Sequence, residues 1–308
     1  MTPTQANKSD LGICTPSDDT PDVPTAEELY GDKELERLFS SRLLADIVDE
    51  LRIREAEIAR HAGTATLCGR FRADAKLVAS ILLEVGIVLP ADAYSCPANL
   101  FEAVTALPVS PRTAKVRRQA RELTRVAVLC EEGGLHVPAS ADEFHALWEQ
   151  AMRGEPRWSD DHPSPEFRTG TVTLRGPWPD RVVVHKCMDP GEVPAWLDRL
   201  VALLSDERFA PEVRAACGLG LHDWIHPFND GNGHTGRLLM LAMLNGHYSH
   251  STLECLVYEL VVNRAATSKQ FKLLRERKSD ALGFCLGILG QVRDAQKRAL
   301  DLVAPGTE

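Results

Sequence analysis

From residue 32 onward the apolar positions fall at helical spacing. Leu35, Leu38, Phe39, Leu43, Leu44, Ile47, Val48 and Leu51 recur three and four residues apart, as one face of a helix requires. The same period predicts helices over 75–85, 111–130, 141–153, 193–204 and 211–224, then over 235–244, 252–263, 268–277 and 281–302. Ser140 and Glu143 have the spacing of a capping box ahead of the 141–153 segment. The fold class this predicts is mainly α.

One stretch departs from that period. Thr171-Val172-Thr173-Leu174-Arg175 and Arg181-Val182-Val183-Val184-His185 are β-branched runs on either side of Gly176-Pro177-Trp178-Pro179-Asp180, which reads as a β-hairpin. A lone hairpin is marginal in water, so it needs something to pack on or to bind. Residues 1–31 are treated as a disordered tail, because the Thr, Ser, Pro and Asp that dominate their first 25 positions cannot offset the entropy of ordering. We divide the rest into an N-terminal helical region at 32–134, a core at 135–292 and a helix end with its tail at 293–308.

Charge and cysteine usage narrow the partners. The formal charge of −9 argues against a broadly basic nucleic-acid-binding surface, so a phosphate site must be local. No run approaches the roughly 20 apolar residues of a membrane span, and the N-terminus lacks the apolar stretch of a signal peptide. The eight cysteines are scattered without a CxxC pair, which suggests buried thiols in a reducing compartment and a cytoplasmic location.

The candidate chemistry is concentrated in HPFNDGNGHTGR, His226 to Arg237. Pro227 disfavours α geometry at His226, so that histidine is expected to project from a helix end. Gly231-Asn232-Gly233 leads into the next helix, where backbone N–H groups and the positive end of the helix dipole can receive an anion. Asp230 could hold a Mg²⁺ that bridges phosphate oxygens, and Arg237 could neutralise phosphate charge. His226, whose ordinary pKa suits neutral pH, could accept a proton from an attacking hydroxyl. These parts fit transfer of a phosphate ester.

The stretch resembles the signature of the Fic family, HPFx(D/E)GNGRxxR. His226, Pro227, Phe228, Asp230, Gly231, Asn232, Gly233 and Arg237 match position for position. Leu221-His222-Asp223-Trp224-Ile225, Glu166-Phe167-Arg168 and the helix at 142–152 stand where the family has similar features, so the resemblance covers about residues 135–290. It implies a helical fold with a β-hairpin flap, here Thr171, Val172, Thr173, Val182, Val183 and Val184, that holds a target segment by strand-like pairing. It also implies transfer of AMP from ATP, with Mg²⁺, to a Ser, Thr or Tyr hydroxyl of a target protein. His226 would be the catalytic base and Asp230 the metal ligand. Gly231, Asn232, Gly233, His234, Thr235, Gly236 and Arg237 would form the nucleotide and phosphate site. Phe228 reads as a core anchor of the loop. Partners are then the target protein and the nucleotide, with a homodimer left open.

His234 stands where the family has its first arginine. Histidine lacks the permanent fork of donors, which leaves the donor's identity open and admits a nucleotide-binding module without transfer. The resemblance also implies a brake: Ser80 and Glu84 approximate the family's (S/T)xxxE(G/N) inhibitory helix, with Val85 as a mismatch, and Glu84 would pair with Arg237. A different class of reading takes His222 and His226, four residues apart, as a metal-binding pair of a hydrolase.

Overall fold

The computed structural model describes residues 24–62, 67–155, 166–175 and 183–303. The chain begins with α1 (Ala26–Tyr30), α2 (Asp32–Phe39), α3 (Arg42–Ala62) and α4 (Leu67–Leu83). It continues through α5 (Pro97–Ala106), α6 (Ala114–Glu131) and α7 (Glu143–Met152) to strands β1 (Thr173–Arg175) and β2 (Val183–Lys186). Then follow α8 (Val193–Ser205), α9 (Pro211–Ile225), α10 (Asn232–Leu244), α11 (His250–Val261), α12 (Ala265–Arg275) and α13 (Ala281–Val303). The mainly α reading holds.

The centre of the molecule is the pair α9 and α10, which pack together and against α7, α8 and α13. Both are buried nearly all round, as their sequences allow: Leu219, Leu221, Leu238, Leu239, Met240 and Leu241 leave no polar stripe. Small residues let the backbones close in. A Cβ at Gly236 would lie 3.1 Å from Nδ1 of His222, so a glycine on α10 is what admits a histidine on α9. The long α13 packs on α3, α9, α11 and α12, while α6 packs on α4, α5 and α11. Buried apolar residues from Ala26 to Ala299 form one continuous core, so the 32–134 region shares its packing with the 135–292 region.

Several boundaries differ from the periodicity reading. The face from Leu35 to Leu51 is interrupted at Ser40 and Ser41, where the Ser41 hydroxyl accepts from the Leu44 N–H at 3.4 Å and starts a second helix. The Ser140–Glu143 box is not formed. Glu143 instead accepts from the Ala139 N–H at 2.8 Å, and the N-cap Asp142 makes no side-chain cap. The tail expectation fails at its end, because α1 lies within it. Thr25 and Glu28 form a full capping box there, and Leu29 and Tyr30 are buried against the core. Residues 1–23 lie outside the described residues.

β1 and β2 pair antiparallel, Thr173 with Lys186, Leu174 with His185 and Arg175 with Val183. The register shift leaves Val184 without a partner, as in a bulge. Val182, like the turn expected at 176–180, lies outside the described residues. Cys217 and Cys285 approach to 3.3 Å between their sulfurs in the core between α9 and α13. No described helix is long and apolar enough to cross a membrane.

Candidate functional site

α9 ends where Pro227 requires it, at Ile225. His226 caps the helix in the left-handed region, with φ 51° and ψ 59°, and its N–H still donates to the His222 carbonyl at 2.9 Å. A non-glycine residue in that region is strained and persists only when its surroundings hold it there. Arg168 supplies the hold. Its side chain is only 2 % exposed and donates from Nε to the His226 carbonyl at 2.7 Å, from Nη2 to the Ile225 and Met188 carbonyls, and from Nη1 to the Gly170 carbonyl at 2.9 Å. Its backbone N–H donates to the Pro227 carbonyl at 2.9 Å. A buried guanidinium thus ties the helix end to the segment entering β1.

The His226 ring is half-buried. Burial lowers its pKa below the usual histidine value of 6.5, against the opposing pull of Asp223, so the imidazole is the neutral, proton-accepting form at neutral pH. Asp223 is itself paired with Arg275 of α12.

The loop after His226 is closed by its own side chains. Phe228 is fully buried among Phe167, Trp148 and His145. Asn232 then grips the Phe228 backbone from both sides, its Oδ1 accepting from the N–H at 2.9 Å and its Nδ2 donating to the carbonyl at 2.7 Å. Trp148 Nε1 donates to the Asp230 carbonyl at 2.8 Å. Gly231 turns the chain at φ 82°, and a Cβ there would sit 2.7 Å from both Met152 Sδ and Trp148 Nε1. Only glycine meets both demands.

The clamp starts α10 at Asn232, three residues earlier than the periodicity suggests. The first backbone bonds onto Gly231 come from His234 and Thr235, which leaves the N–H groups of Asn232 and Gly233 ahead of the intrahelical ladder. The expected phosphate residues therefore divide. Gly233 is exposed at the helix start and His234 and Arg237 are half-exposed. Thr235 is fully buried, its hydroxyl spent on the Gly231 carbonyl at 3.0 Å, and Gly236 packs against His222; neither faces an anion at the helix start. The Asn232 side chain is committed to the loop, so any contact it makes with an anion is through its backbone.

Asp230 is exposed at the loop, one carboxylate oxygen accepting from the Gly231 N–H at 2.7 Å. Mg²⁺ retains several waters and takes only one or two protein carboxylates beside phosphate oxygens, so a single exposed aspartate next to an anion-receiving helix start fits that ion. His222 does not make a second metal ligand. Its ring is fully buried and stacked at 6.0 Å on Phe144, and burial lowers its pKa to about 3. Among the described residues no three His, Cys, Asp or Glu side chains are grouped as a metal would need.

The carboxylate on Arg237 is Glu122. Arg237 Nε donates to Glu122 Oε1 at 2.7 Å and Nη2 lies 2.6 Å from the same oxygen. Nδ1 of His234 lies 3.4 Å from Oε2, within ion-pair reach but without hydrogen-bond geometry. Burial alone would raise the Glu122 pKa; Arg237, His234 and Arg125 outweigh it and hold the carboxyl well below the usual range. Beneath it, Arg121 and Arg125 pair with Glu155. The expected inhibitory pair is elsewhere: Ser80 spends its hydroxyl on the Leu77 carbonyl, and Glu84 is exposed just beyond the end of α4. Glu122 lies mid-helix in a sequence with no motif around it; its only signal is an acid at helical spacing among basic residues. Of the flap residues, Thr171 and Thr173 are exposed and Val172 is half-buried, with its carbonyl accepting from the Cys187 N–H at 2.9 Å.

Residues 138–244 match the model of the Fic/DOC family. Among solved structures, a Fic family protein from Desulfovibrio desulfuricans G20 is similar at 20% identity, covering 87% of this chain and 77% of its own, with a TM-score of 0.59. A Fic domain-containing signalling protein from Bacteroides thetaiotaomicron aligns at 16% identity over 87% of this chain and 96% of its own, with a TM-score of 0.39. No curated protein matches the chain.

Proposed function

From the premise that this chain carries a Fic/DOC-family domain over residues 138–244, we propose that it is a protein adenylyltransferase, moving AMP from ATP to a hydroxyl of a target protein. The observation that carries the reading is the pairing of a neutral, half-buried His226 with the open helix start at Asn232 and Gly233, one turn from Arg237. A base, an anion-receiving backbone and a counter-charge converge there.

In this reading the target's hydroxyl oxygen attacks the α-phosphorus and its proton passes to the His226 imidazole. The bond from the α-phosphorus to the bridging oxygen breaks, and pyrophosphate leaves with that oxygen. The N–H groups of Asn232 and Gly233 stabilise charge developing on the α-phosphate oxygens. Asp230 would hold Mg²⁺, which when bound supplies neutralising charge to the phosphates. The exposed backbone around Thr171 to Thr173 offers an edge for a target segment.

We extend the proposal to intramolecular restraint, with Glu122 in the part that the sequence assigns to Glu84. Arg237 cannot meet an outer phosphate while its Nε and Nη2 are turned to Glu122. The test is transfer of label to protein from ATP labelled at the α- or the γ-phosphate. Label from the α-position alone, absent in His226→Ala, supports adenylyl transfer. Equal labelling in His226→Ala would defeat it.

A second reading rests on His234. With histidine in place of a permanent cation, a donor with a different phosphate tail, or nucleotide binding without transfer, follows from weaker phosphate contacts. Recovery of transfer only in His234→Arg would favour it.

A further inference from the structure

The contact between α9 and α13 holds two sulfurs that the transfer reading does not use. Cys217 stands in the middle of α9 and Cys285 near the start of α13, both fully buried. Their Sγ atoms are 3.3 Å apart, close enough for one thiol to hydrogen-bond the other. A disulfide brings the sulfurs to about 2.05 Å, so closing the gap from 3.3 Å asks for a movement of roughly 1.3 Å shared by two side chains. The two residues are 68 positions apart, so no local spacing in the sequence marks them as a pair.

A short helix covers this pair. α1 sets Tyr30 against Gly220, one turn beyond Cys217 on α9, and Phe284, the neighbour of Cys285, closes on the same spot. Burial, and then the nearby thiols of Cys285 and Cys217, hold the Tyr30 phenol well above its ordinary pKa. The cover is weakly held. α1 has only 5 residues, too few for a helix to persist unless docked. Among the described residues the buried Tyr30 hydroxyl has no hydrogen-bond partner, which disfavours the seated state. The outer ion pairs of α1, Arg199 with Glu27 at 2.6 Å and Arg277 with Glu28 at 3.3 Å, join largely exposed side chains and contribute little. While α1 is seated, the hydrogen bond with Cys217 and burial push the Cys285 thiol up and keep it a poor nucleophile. Local opening of α1 admits water and relieves the burial.

We propose that Cys217 and Cys285 are a redox-sensitive pair, which hydrogen peroxide converts to a disulfide between α9 and α13, with α1 as the cover that sets its rate. One thiolate attacks a peroxide oxygen; the O–O bond breaks, the departing hydroxide takes up a proton and leaves as water, and the sulfur becomes a sulfenic acid. The second sulfur attacks the first and gives up its proton; the S–O bond breaks and a second water leaves. Two thiols lose two electrons and two protons, and one peroxide becomes two waters. The new bond ties the helix that ends at His226 to α13. Closing so long a loop restricts the unfolded chain, so the oxidised protein melts higher than the reduced one. None of this depends on the adenylyl-transfer reading.

The experiment treats the full chain with hydrogen peroxide, alkylates it under denaturing conditions, digests it without reductant and identifies the peptides by mass. We expect a peptide pair joined through Cys217 and Cys285 and lighter by two hydrogens. It should form several-fold faster in the double change Arg199→Gln and Arg277→Gln, which loosens α1 without touching either sulfur. Before digestion the oxidised protein should melt roughly 5–10 °C above the reduced one, a shift lost in Cys217→Ala treated in the same way. Both cysteines recovered alkylated, either one oxidised to a sulfinic acid without cross-linking, or a bond to a different cysteine overturns the pair. So does a cross-link that lowers the melting temperature, because the fold would then not accommodate it. An unchanged rate with α1 loosened overturns α1 as the cover.

Discussion

Nε of Arg237 donates to Oε1 of Glu122 at 2.7 Å, joining the second turn of α10 to the middle of a helix 115 residues earlier in the chain. The pair is largely buried, with 22 % and 8 % of the side chains exposed, so solvent does little to weaken it. A phosphate competing for Arg237 must first replace that carboxylate. Glu122→Gln keeps the shape and removes the charge, and should raise transfer from ATP by roughly tenfold to a hundredfold, the worth of one charge-assisted bond. Glu84→Gly, at an exposed site past the end of α4, should leave the rate unchanged. Initial rates of α-labelling in the two variants decide between the residues.

The pH dependence follows from His226. Its pKa is lowered by burial, so the proton-accepting form persists below pH 6.5 and the acid limb of the rate profile should fall there, not at the usual histidine value. Removing the cation beside Asp223, as in Arg275→Gln, leaves that carboxylate to act on the imidazole alone and should move the limb upward. A rate-against-pH profile that does not move would show that Asp223 and Arg275 have no hold on the base.

Arg168 should behave as a structural linchpin of the helix end. Arg168→Lys keeps a charge but not the fork, and leaves several of four buried or half-buried carbonyls without this donor. A loss of about 2–4 kcal/mol is expected from unsatisfied buried groups. Chemical denaturation measures it, and a change under 0.5 kcal/mol would contradict the assignment.

Gly231→Ala combines a backbone penalty at φ 82° with a clash against Met152 and Trp148. It should cost about 1–3 kcal/mol and displace the Trp148 donor from the Asp230 carbonyl. Melting temperature reports the first effect and tryptophan emission the second.

His222 is a fully buried neutral histidine whose pKa is lowered to about 3. The unfolded chain takes up a proton at this position near 6.5 and the folded one does not, so its effect on stability is absent above 6.5. As pH falls from 6.5 toward 3, folding is penalised by about 1.4 kcal/mol per pH unit. His222→Leu removes that penalty. Its melting temperature should fall less steeply with acidification than the wild type's, and parallel curves would count against the buried titration.

How much could be read in advance depended on whether the signal was local. The loop from His226 to Arg237 was legible because proline, glycine and asparagine each act on the backbone within a few residues. Helices such as α8 and α13 were legible from their apolar periods. Glu122 was not, since nothing in residues 118–126 states which side chain waits across the core, and the short match at Ser80 and Glu84 imitated a local rule that the packing does not use. Arg168 was noticed only as part of a short resemblance, because four carbonyls from three segments meet it only after folding. α1 was hidden by composition: a Thr25–Glu28 capping box and two buried side chains suffice to order a stretch adjoining a polar tail.

Tyr30 gives α1 a further meaning. Its ring lies where α9 has Gly220, so closely that any side chain at 220 would collide with its hydroxyl, and Phe284 of α13 closes the other side. Among the described residues the buried hydroxyl has no hydrogen-bond partner. The opening segment of the described chain therefore acts as a wedge driven into the helix that ends at His226. A chain cut back to residue 32 would leave a notch in that helix six residues before His226, where the ring of Tyr30 now fills the space beside Gly220.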